Sequence, residues 1–373
     1  MRRKPGSIRE RGKGSYEIQI ELAGMNGERR RRFATVRGTY EDAKRKLAEL
    51  LKAANEGTLP DPCNATLAEY LRAWIDGSAN VSPKTGERYG ELIERQIVPH
   101  LGATKLQKLL PDHVQQWHGK LIGEGLAPRT VGHAHRVLRR ALADAVKNGT
   151  TIARNVAAVH SPPRVEETEI EILSPDQIGA VLKALDGHSI FPIVSLALAT
   201  GMRRGELLGL QWQDIDLDAA TLRVERAVEE TKKGLRLKPP KTKRGRRNVK
   251  LPSDAVTALR AHKVKQLELR LALGMGNIAP DTLVFGNVDG ELIRPRNLTK
   301  SWSRARAAMK LPAVSFHAFR HSHASMLIRA GVDILTVSRR LGHANASITL
   351  NVYGHLIEGA DAAAARAIEG VLK

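Results

Sequence analysis

The sequence predicts a mixed but mainly α-helical protein: a small N-terminal β-sheet with one helix, a helical bundle, and an α-rich region that contains a short β-hairpin or sheet. Strand-like alternation of apolar and polar residues is confined to the N-terminus and two later segments, whereas helical spacing dominates elsewhere. Proline-containing segments at 58–65 and 161–167 divide the chain. The predicted domains, each of ordinary size, span residues 1–57, 64–160 and 168–373.

The first domain is predicted to be a sheet backed by one helix. Tyr16, Ile18, Ile20 and Leu22 alternate with polar residues, as on a strand with one buried face. After turn residues at 25–27, the pattern predicts strands at 29–33 and 34–37 and a helix from 40 to about 55. A basic sheet face could enter a DNA groove, and a merely solvated face is the alternative. The predicted DNA contacts in this domain are Arg29, Arg30, Arg31 and Arg32.

The second domain is predicted to be a bundle of four or five helices. Leu67, Tyr70, Leu71, Trp74 and Ile75 form one amphipathic stripe. Further helices are predicted at 83–98, 111–123 and 128–148. The last of these carries basic residues on or near one side, which could lie across a DNA duplex: His133, His135, Arg136, Arg139 and Arg140. Aromatic residues are too few to favour stacking of single-stranded bases.

The third region begins with Ser174-Pro175-Asp176-Gln177, a capping box with proline at the first helical position. The patterns after it predict helices to 185 and at 193–199, 253–272, 296–308, 317–330, 334–341 and 359–371, with strands at 220–224 and 246–251. Trp212 and Trp302 are expected in the core. Residues 231–250 hold ten basic side chains and no acidic one, so this hairpin is expected to be solvated or to meet phosphate.

Composition narrows the class of protein. The chain has a net charge of +21 and a pI near 10.3, an excess that points to a polyanionic partner such as nucleic acid, with a basic but merely soluble surface as the alternative. Cys63 is the sole cysteine, so no intramolecular disulfide or cysteine-based metal site can form. No apolar run is long enough for a membrane span or a secretory signal. We therefore expect a cytoplasmic, nucleoid-associated protein.

The stretch 314–356 holds residues suited to phosphoryl transfer. His317 and Arg320 are one helical turn apart, His343 follows a short helix, and Tyr353 stands in a polar segment without an obvious core to fill. A hydroxyl nucleophile, imidazoles and a fixed cation are what such chemistry needs. The spacing of several histidines also suggests a metal site, but no carboxylate or cysteine ligand stands nearby, so none is expected. These histidines are His321, His323 and His355, which are not expected to be catalytic.

Several motifs together resemble the tyrosine recombinase, or phage integrase, family. The segment Thr200-Gly201-Met202-Arg203-Arg204-Gly205-Glu206 fits the family's T-G-x-R-x-x-E pattern. His317 and Arg320 fit its H-x-x-R box, Leu341-Gly342-His343 fits L-G-H, and Tyr353 fits the nucleophile position. Each motif alone is weak, but the set occurs in family order and spacing. The family's hairpin lysine matches Lys241 or, as a close competitor, Lys243.

The resemblance implies a tyrosine recombinase fold and a separate catalytic role for each residue of the site. Tyr353 would form a 3′-phosphotyrosyl link, and no ATP, metal or other cofactor would be needed. Arg203, Arg320 and His343 would hold the phosphate, while His317 takes a proton or bonds the phosphate. The hairpin lysine would protonate the leaving 5′ oxygen. Glu206 is expected to orient Arg203, and Arg204 is expected to point elsewhere.

The resemblance also implies partners. Residues 1–57 would be an arm-type DNA-binding domain and 64–160 a core-binding domain, with four protomers assembled on two DNA attachment sites. A DNA-bending host factor and an excisionase are further partners consistent with such an integrase. The hairpin adds Lys243, Arg244 and Arg246 to the predicted DNA contacts. Two other functions stay open at this point: a DNA-binding regulator without catalysis, and a topoisomerase-like enzyme that nicks and reseals DNA.

Overall fold

The computed structural model describes residues 6–23, 29–55, 59, 62–78, 81–148, 152–166, 170–240, 243–354 and 368–369. The chain divides into two compact units, Met1–Glu166 and Glu167–Lys373. Helices dominate, and the sheets are small and antiparallel, which confirms the predicted fold class. Within the ranges just given, no helix combines the length and apolar character that a membrane span requires.

The first unit begins with a three-stranded sheet covered by one helix. Its elements are β1 (Gly6–Gly12), β2 (Ser15–Ala23), β3 (Arg29–Arg37) and α1 (Tyr40–Asn55). Ile18 and Ile20 of β2 lie under Ala43 of α1, as the alternation predicted for β2 requires. The prediction of separate strands at 29–33 and 34–37 was wrong. Pairing with β2 continues without a break along β3, so the ladder keeps the strand whole.

Strand β1 was not predicted from the sequence. Its seven residues, GSIRERG, contain one large apolar side chain, Ile8, and therefore show no alternation. The strand forms because its backbone pairs with β2 at the edge of the sheet, where its side chains are mostly exposed. Backbone pairing supplies what the side-chain pattern does not reveal.

The remainder of the first unit is helical. It contains α2 (Leu67–Asp76), α3 (Pro83–Leu92), α4 (Val98–Leu101), α5 (Pro111–Gly123) and α6 (Pro128–Lys147). The single helix predicted at 83–98 is instead divided by a π-helical turn, Ile93–Ile97, before α4. Pro99 has no N–H to donate to the preceding turn, so regular α-helical bonding cannot continue there.

Helix α6 carries the predicted basic face with one correction. Arg136, Arg139 and Arg140 are exposed, but His135 is 1% exposed and lies in the core. Its Nδ1 is 3.1 Å from Nε2 of the buried His118. Burial lowers the pKa of His135 to about 4. This imidazole is therefore a neutral core residue and adds no charge to the face.

The second unit combines helices with two small sheets. Its helices are α7 (Pro175–Ala184), α8 (Phe191–Thr200), α9 (Arg204–Leu208), α10 (Ser253–Ala272), α11 (Pro295–Ala308), α12 (Ala318–Arg329), α13 (Ile334–Leu341) and α14 (Ala346–Tyr353). Strands β4 (Ile215–Asp216), β5 (Thr221–Val224) and β8 (Arg247–Lys250) form one sheet, and β6 (Ala227–Thr231) pairs with β7 (Gly234–Lys238) in another. Trp212 and Trp302 are buried in its core, as predicted.

The strands predicted at 220–224 and 246–251 pair with each other as β5 and β8. Between them the chain forms a second hairpin that was not predicted, in which β6 pairs with β7 and the turn lies at residues 232–233. Residues 241–242 lie outside the described part of the chain, as does most of the helix predicted at 359–371. Residues 368–369 are helical.

Candidate active site

The first arginine of the site is positioned by a left-handed helix end that favours glycine. Helix α8 stops at Gly201, whose φ of 64° lies in the left-handed region. A Cβ there would come within 2.7 Å of the His323 ring and 2.8 Å of Leu341. The chain can therefore turn sharply into Arg203, which precedes α9, while α12 and α13 approach the turn closely.

A buried carboxylate holds this arginine. Glu206 is 4% exposed, and its Oε1 accepts a hydrogen bond from Arg203 Nη1 at 2.8 Å. Its Oε2 accepts from the Arg203 backbone N–H at 3.0 Å and from Arg247 Nη2 at 2.9 Å. Burial alone would raise the pKa of Glu206, but Arg247 and Arg203 outweigh that effect and hold it below its ordinary value. The Glu206 carboxylate is therefore charged and forms ion pairs with both Arg203 and Arg247.

Replacing Glu206 by alanine should destabilise the second unit strongly. Arg247, whose side chain is 6% exposed, would lose its carboxylate partner, and breaking a buried ion pair in this way costs about 3–5 kcal/mol. Urea unfolding of full-length Glu206→Ala and wild type measures the change. Asp218→Ala is the matched control because its Arg260 partner and its own side chain are exposed. Wild-type stability of Glu206→Ala would show that the two arginines do not depend on this carboxylate.

The second arginine, Arg320, lies in the first turn of α12 and is 4% exposed. Its Nη1 donates to the Gly201 carbonyl at 2.7 Å and its Nη2 to the Leu341 carbonyl at 2.8 Å. The guanidinium thereby joins the end of α8 to the end of α13. Burial and the nearby Arg203 lower the pKa of Arg320 to about 9, so it still carries its charge at neutral pH.

His343 follows the left-handed residue Gly342, with φ of 67°, at the end of α13. Its Nδ1 lies 2.6 Å from the Thr349 hydroxyl on α14, which fixes the ring. Burial, followed by the charges of Arg320 and Arg203, lowers the pKa of His343 to about 4. The imidazole is neutral and stands in the field of both arginines.

Tyr353 ends α14 and is 2% exposed, contrary to the prediction of a polar segment without a core. Its ring packs with Ala324, Val337 and Leu341 of α12 and α13. Burial raises the pKa of the phenol to about 12, although the charge of Arg320 opposes the shift. The hydroxyl contacts a residue that was not expected to act: His321 Nδ1 lies 2.7 Å from it.

The structure brings Arg203, Glu206, Arg320, His343 and Tyr353 into one neighbourhood, as their contacts and mutual effects on pKa show. His317 lies at the exposed N-terminus of α12, with its ring 4.8 Å from that of His321. Lys241 lies outside the described residues, and so does the side chain of Lys243, so the choice between them stays open. Arg204 Nη1 bonds the Thr299 hydroxyl, and the guanidinium lies near enough to His317 that its charge helps to lower the pKa of that imidazole.

The predicted DNA contacts are spread over both units. On the sheet, Arg31 pairs with Glu21 at 3.4 Å, and the side chains of Arg29 and Arg30 lie outside the described part. In the second unit, Arg246 lies 3.6 Å from Glu225. Arg244 donates to the Ala344 carbonyl at 2.7 Å and thus supports the loop that carries His343.

A cavity of about 450 Å³ opens beside His343. Four arginines line it: Arg244, Arg246, Arg247 and Arg339. A recess with this charge attracts phosphate groups. Across the described residues, no group of three or more potential metal ligands (His, Cys, Asp or Glu) comes together.

Three important side chains were missed by the sequence analysis. Arg247 lies two residues before the buried Val249 on β8, so the period of two places both side chains on the inner face. Arg340 donates to His323 Nε2 and to the carbonyls of Ala199 and Lys250, each at 3.0 Å, which needs the tertiary fold to be seen. His321 follows His317 by four residues, so the two share a helix face.

The helical fold and a cationic site around a tyrosine hydroxyl define the class of protein, a tyrosine-type DNA recombinase. Residues 171–359 match the model of the phage integrase family, and residues 66–122 match the phage integrase N-terminal SAM-like domain. The chain belongs to the phage integrase family. It is therefore a site-specific recombinase that cuts and rejoins DNA.

Individual relatives agree with this assignment. A "Tyrosine recombinase XerC-like" protein of Caldanaerobacter subterraneus subsp. tengcongensis is 31% identical over 366 residues, which cover 93% of each chain. The Tn1549 transposon integrase in complex with a circular intermediate DNA has a similar fold, with a TM-score of 0.69 and 20% identity over 78% of this chain and 95% of that one. A lambda integrase tetramer bound to a Holliday junction gives a TM-score of 0.56 and 20% identity, with 92% and 94% covered.

Proposed function

We propose that Tyr353 is the nucleophile of this recombinase. Its hydroxyl attacks the scissile phosphorus, a 3′-phosphotyrosyl bond forms, and the bond to the 5′ oxygen breaks. The observation that supports this most directly is the position of the hydroxyl, which bonds an imidazole and lies in the field of Arg320. A phenol is a weak nucleophile until it loses its proton, and those neighbours supply what the loss requires.

Arg203 and Arg320 are proposed to bind the non-bridging phosphate oxygens. Each guanidinium uses some of its N–H groups on the protein and keeps others for a ligand. Glu206 holds the Arg203 guanidinium, and the carbonyls of Gly201 and Leu341 hold that of Arg320, before substrate binds. Little reorganisation is therefore needed as negative charge builds on the phosphorane. His343, fixed by Thr349, is proposed to donate a further hydrogen bond from Nε2.

The remaining roles follow the family resemblance. Lys241, or Lys243 in its place, is proposed to protonate the leaving 5′ oxygen, and His317 to bond the phosphate from the edge of the site. The reverse step, attack by a 5′ hydroxyl on the phosphotyrosine, restores Tyr353 and rejoins the strand. Bond energy is conserved in the intermediate, so neither ATP nor a metal ion is required.

We also propose a domain assignment, with arm-type DNA binding at 1–57, core binding at 64–160 and catalysis at 168–373. The exposed arginines of α6 suit the backbone of a duplex. By analogy with the lambda integrase tetramer on a Holliday junction, four protomers would assemble for strand exchange. The DNA that it integrates is proposed to be a prophage or another mobile element, with a DNA-bending host factor and an excisionase as further partners. The reaction would take place on the nucleoid, in the cytoplasm.

A covalent-trap experiment tests the proposed nucleophile. The full chain is incubated, with EDTA present, with a nicked suicide duplex carrying the element's own junction, and the adduct is digested and mapped by mass spectrometry. We expect nucleotide attached to Tyr353. Attachment to another residue would overturn the assignment. Tight DNA binding without any adduct would instead favour a DNA-binding regulator.

A further inference from the structure

We infer that His321 is a further catalytic residue of this recombinase and accepts the phenolic proton of Tyr353 during DNA cleavage. The inference rests on the proposed function, since it needs Tyr353 as the nucleophile. His321 belongs to neither the H-x-x-R nor the L-G-H motif, so the sequence predicts no catalytic role for it. The structure nevertheless puts its Nδ1 2.7 Å from the Tyr353 hydroxyl.

The direction of this hydrogen bond follows from acidity. A phenol O–H is a much stronger acid than the N–H of a neutral imidazole, so Tyr353 donates and His321 Nδ1 accepts. Nδ1 therefore carries the lone pair, with the ring proton on Nε2. Burial, together with the charges of His317 and Arg320, lowers the pKa of His321 to about 4, which keeps the ring neutral at ordinary pH.

The other imidazoles of the site are engaged differently. His343 Nδ1 is 2.6 Å from the Thr349 hydroxyl. His323 Nδ1 is 2.8 Å from the Leu198 carbonyl, and its Nε2 accepts from Arg340. His317 packs its ring against that of His321 with the two planes at 88°. In the described part of the chain, His321 is thus the imidazole in hydrogen-bond contact with the reacting oxygen.

Substrate changes the balance of charge around His321. The groups that face it are His317 and Arg320 on its own helix, His343 at the end of α13 and Tyr353 on α14. In the free protein the positive charge of Arg320 disfavours protonation of the His321 ring. A bound phosphate brings negative charge to the same place, which stabilises the imidazolium just when the proton arrives.

The step balances in atoms and charge. As the Tyr353 oxygen bonds to phosphorus, its proton passes to His321 Nδ1, and the bond from phosphorus to the 5′ oxygen breaks. The 5′ oxygen takes a proton from the hairpin lysine. In rejoining, the 5′ hydroxyl attacks phosphorus and returns its proton to the hairpin lysine, while Tyr353 leaves and recovers its proton from His321. The two half-reactions therefore consume no net proton.

The decisive variant is His321→Asn. The asparagine carbonyl oxygen can still accept a hydrogen bond from Tyr353, but it cannot take up the proton. Single-turnover cleavage of the suicide duplex by full-length protein should slow by about 10²–10⁴-fold, the usual contribution of a general base. DNA affinity and thermal unfolding should match wild type. Cleavage at the wild-type rate would show that a hydrogen-bond acceptor suffices and would overturn the inference.

A second substrate identifies which proton transfer fails. With sulfur replacing the bridging 5′ oxygen, the leaving group departs without needing a proton, so a defect in leaving-group protonation disappears. The His321→Asn defect should persist on this substrate. Full recovery would place His321 at the leaving group and overturn its assignment to Tyr353.

Controls separate this inference from the proposed function. His188→Asn changes an exposed histidine of the same unit, whose Nδ1 accepts the Ile190 N–H at 3.2 Å, and should cleave normally. If Tyr353→Phe forms no adduct while His321→Asn cleaves normally, the inference fails and the nucleophile assignment stands. An adduct mapped to a residue other than Tyr353 would overturn both the nucleophile assignment and the inference about His321.

If His321→Asn does not fold, His321→Ala replaces it in the experiment. Added imidazole should restore cleavage by this variant, and no response to imidazole would overturn the inference.

Discussion

Replacing Tyr353 by phenylalanine should abolish the covalent protein–DNA adduct, with a loss in cleavage rate of more than about 10⁴-fold, as expected when a catalytic nucleophile is removed. The ring packs among Ala324, Val337 and Leu341, and phenylalanine preserves that packing. The lost atom is the hydroxyl that contacts His321. Chemistry should therefore fail while the fold and DNA binding persist. The covalent band on a denaturing gel measures the chemistry, and a mobility shift measures binding.

Tyr40→Phe provides the control for this experiment. Tyr40 is 51% exposed at the start of α1, so its substitution also removes one phenolic hydroxyl without touching the site. We expect a normal adduct from this variant. A band that survives in Tyr353→Phe would mean that another residue is the nucleophile.

Replacing Arg320 by alanine should cause the second large loss, about 10³–10⁵-fold in single-turnover cleavage, the range found for an arginine that stabilises a transferring phosphoryl group. The variant should also be less stable. The Gly201 and Leu341 carbonyls would lose their donor, and an unsatisfied buried polar group costs about 1–3 kcal/mol. Cleavage at saturating protein and urea unfolding measure the two effects separately.

Arg320→Lys distinguishes charge from geometry. A lysine ammonium keeps the positive charge but cannot bridge both carbonyls and hold a phosphate with a planar fork. We expect it to remain far below wild type. Arg329→Ala, at the exposed C-terminus of the same helix, should cleave normally and serves as the matched control. Near-wild-type cleavage by Arg320→Lys would mean that charge alone is what the site uses.

The fold class and most helices can be predicted from the sequence because those features depend on local periodicity. The structure departs from the predicted elements where strand pairing or backbone geometry outweighs the side-chain pattern. Strand β3 stayed whole because β2 pairs along its full length, and the helix predicted at 83–98 changed to a π turn ahead of Pro99. The weakly patterned β1 could be found only through its partner strand.

In the active site, too, the motifs predict the residues, whereas the contacts between them depend on the fold. The motifs place Arg203, Arg320, His343 and Tyr353 within a family order, and the structure gathers them from segments as far as 150 residues apart, which local patterns cannot do. The hydrogen bonds that hold these side chains in place cannot be predicted from the sequence. Arg320 binds carbonyls of Gly201 and Leu341, a relation that no side-chain pattern encodes because every residue has a carbonyl.

The sequence shows which chemical groups are present: a tyrosine, several imidazoles, a set of arginines and the glycines at 201 and 342 that permit sharp helix ends. Which imidazole contacts Tyr353, and how deeply the phenol is buried, follows from the packing of α12, α13 and α14. Residue identity and local spacing are properties of the chain, whereas burial, and the pKa shifts that burial causes, arise from contacts between segments that are distant in the sequence.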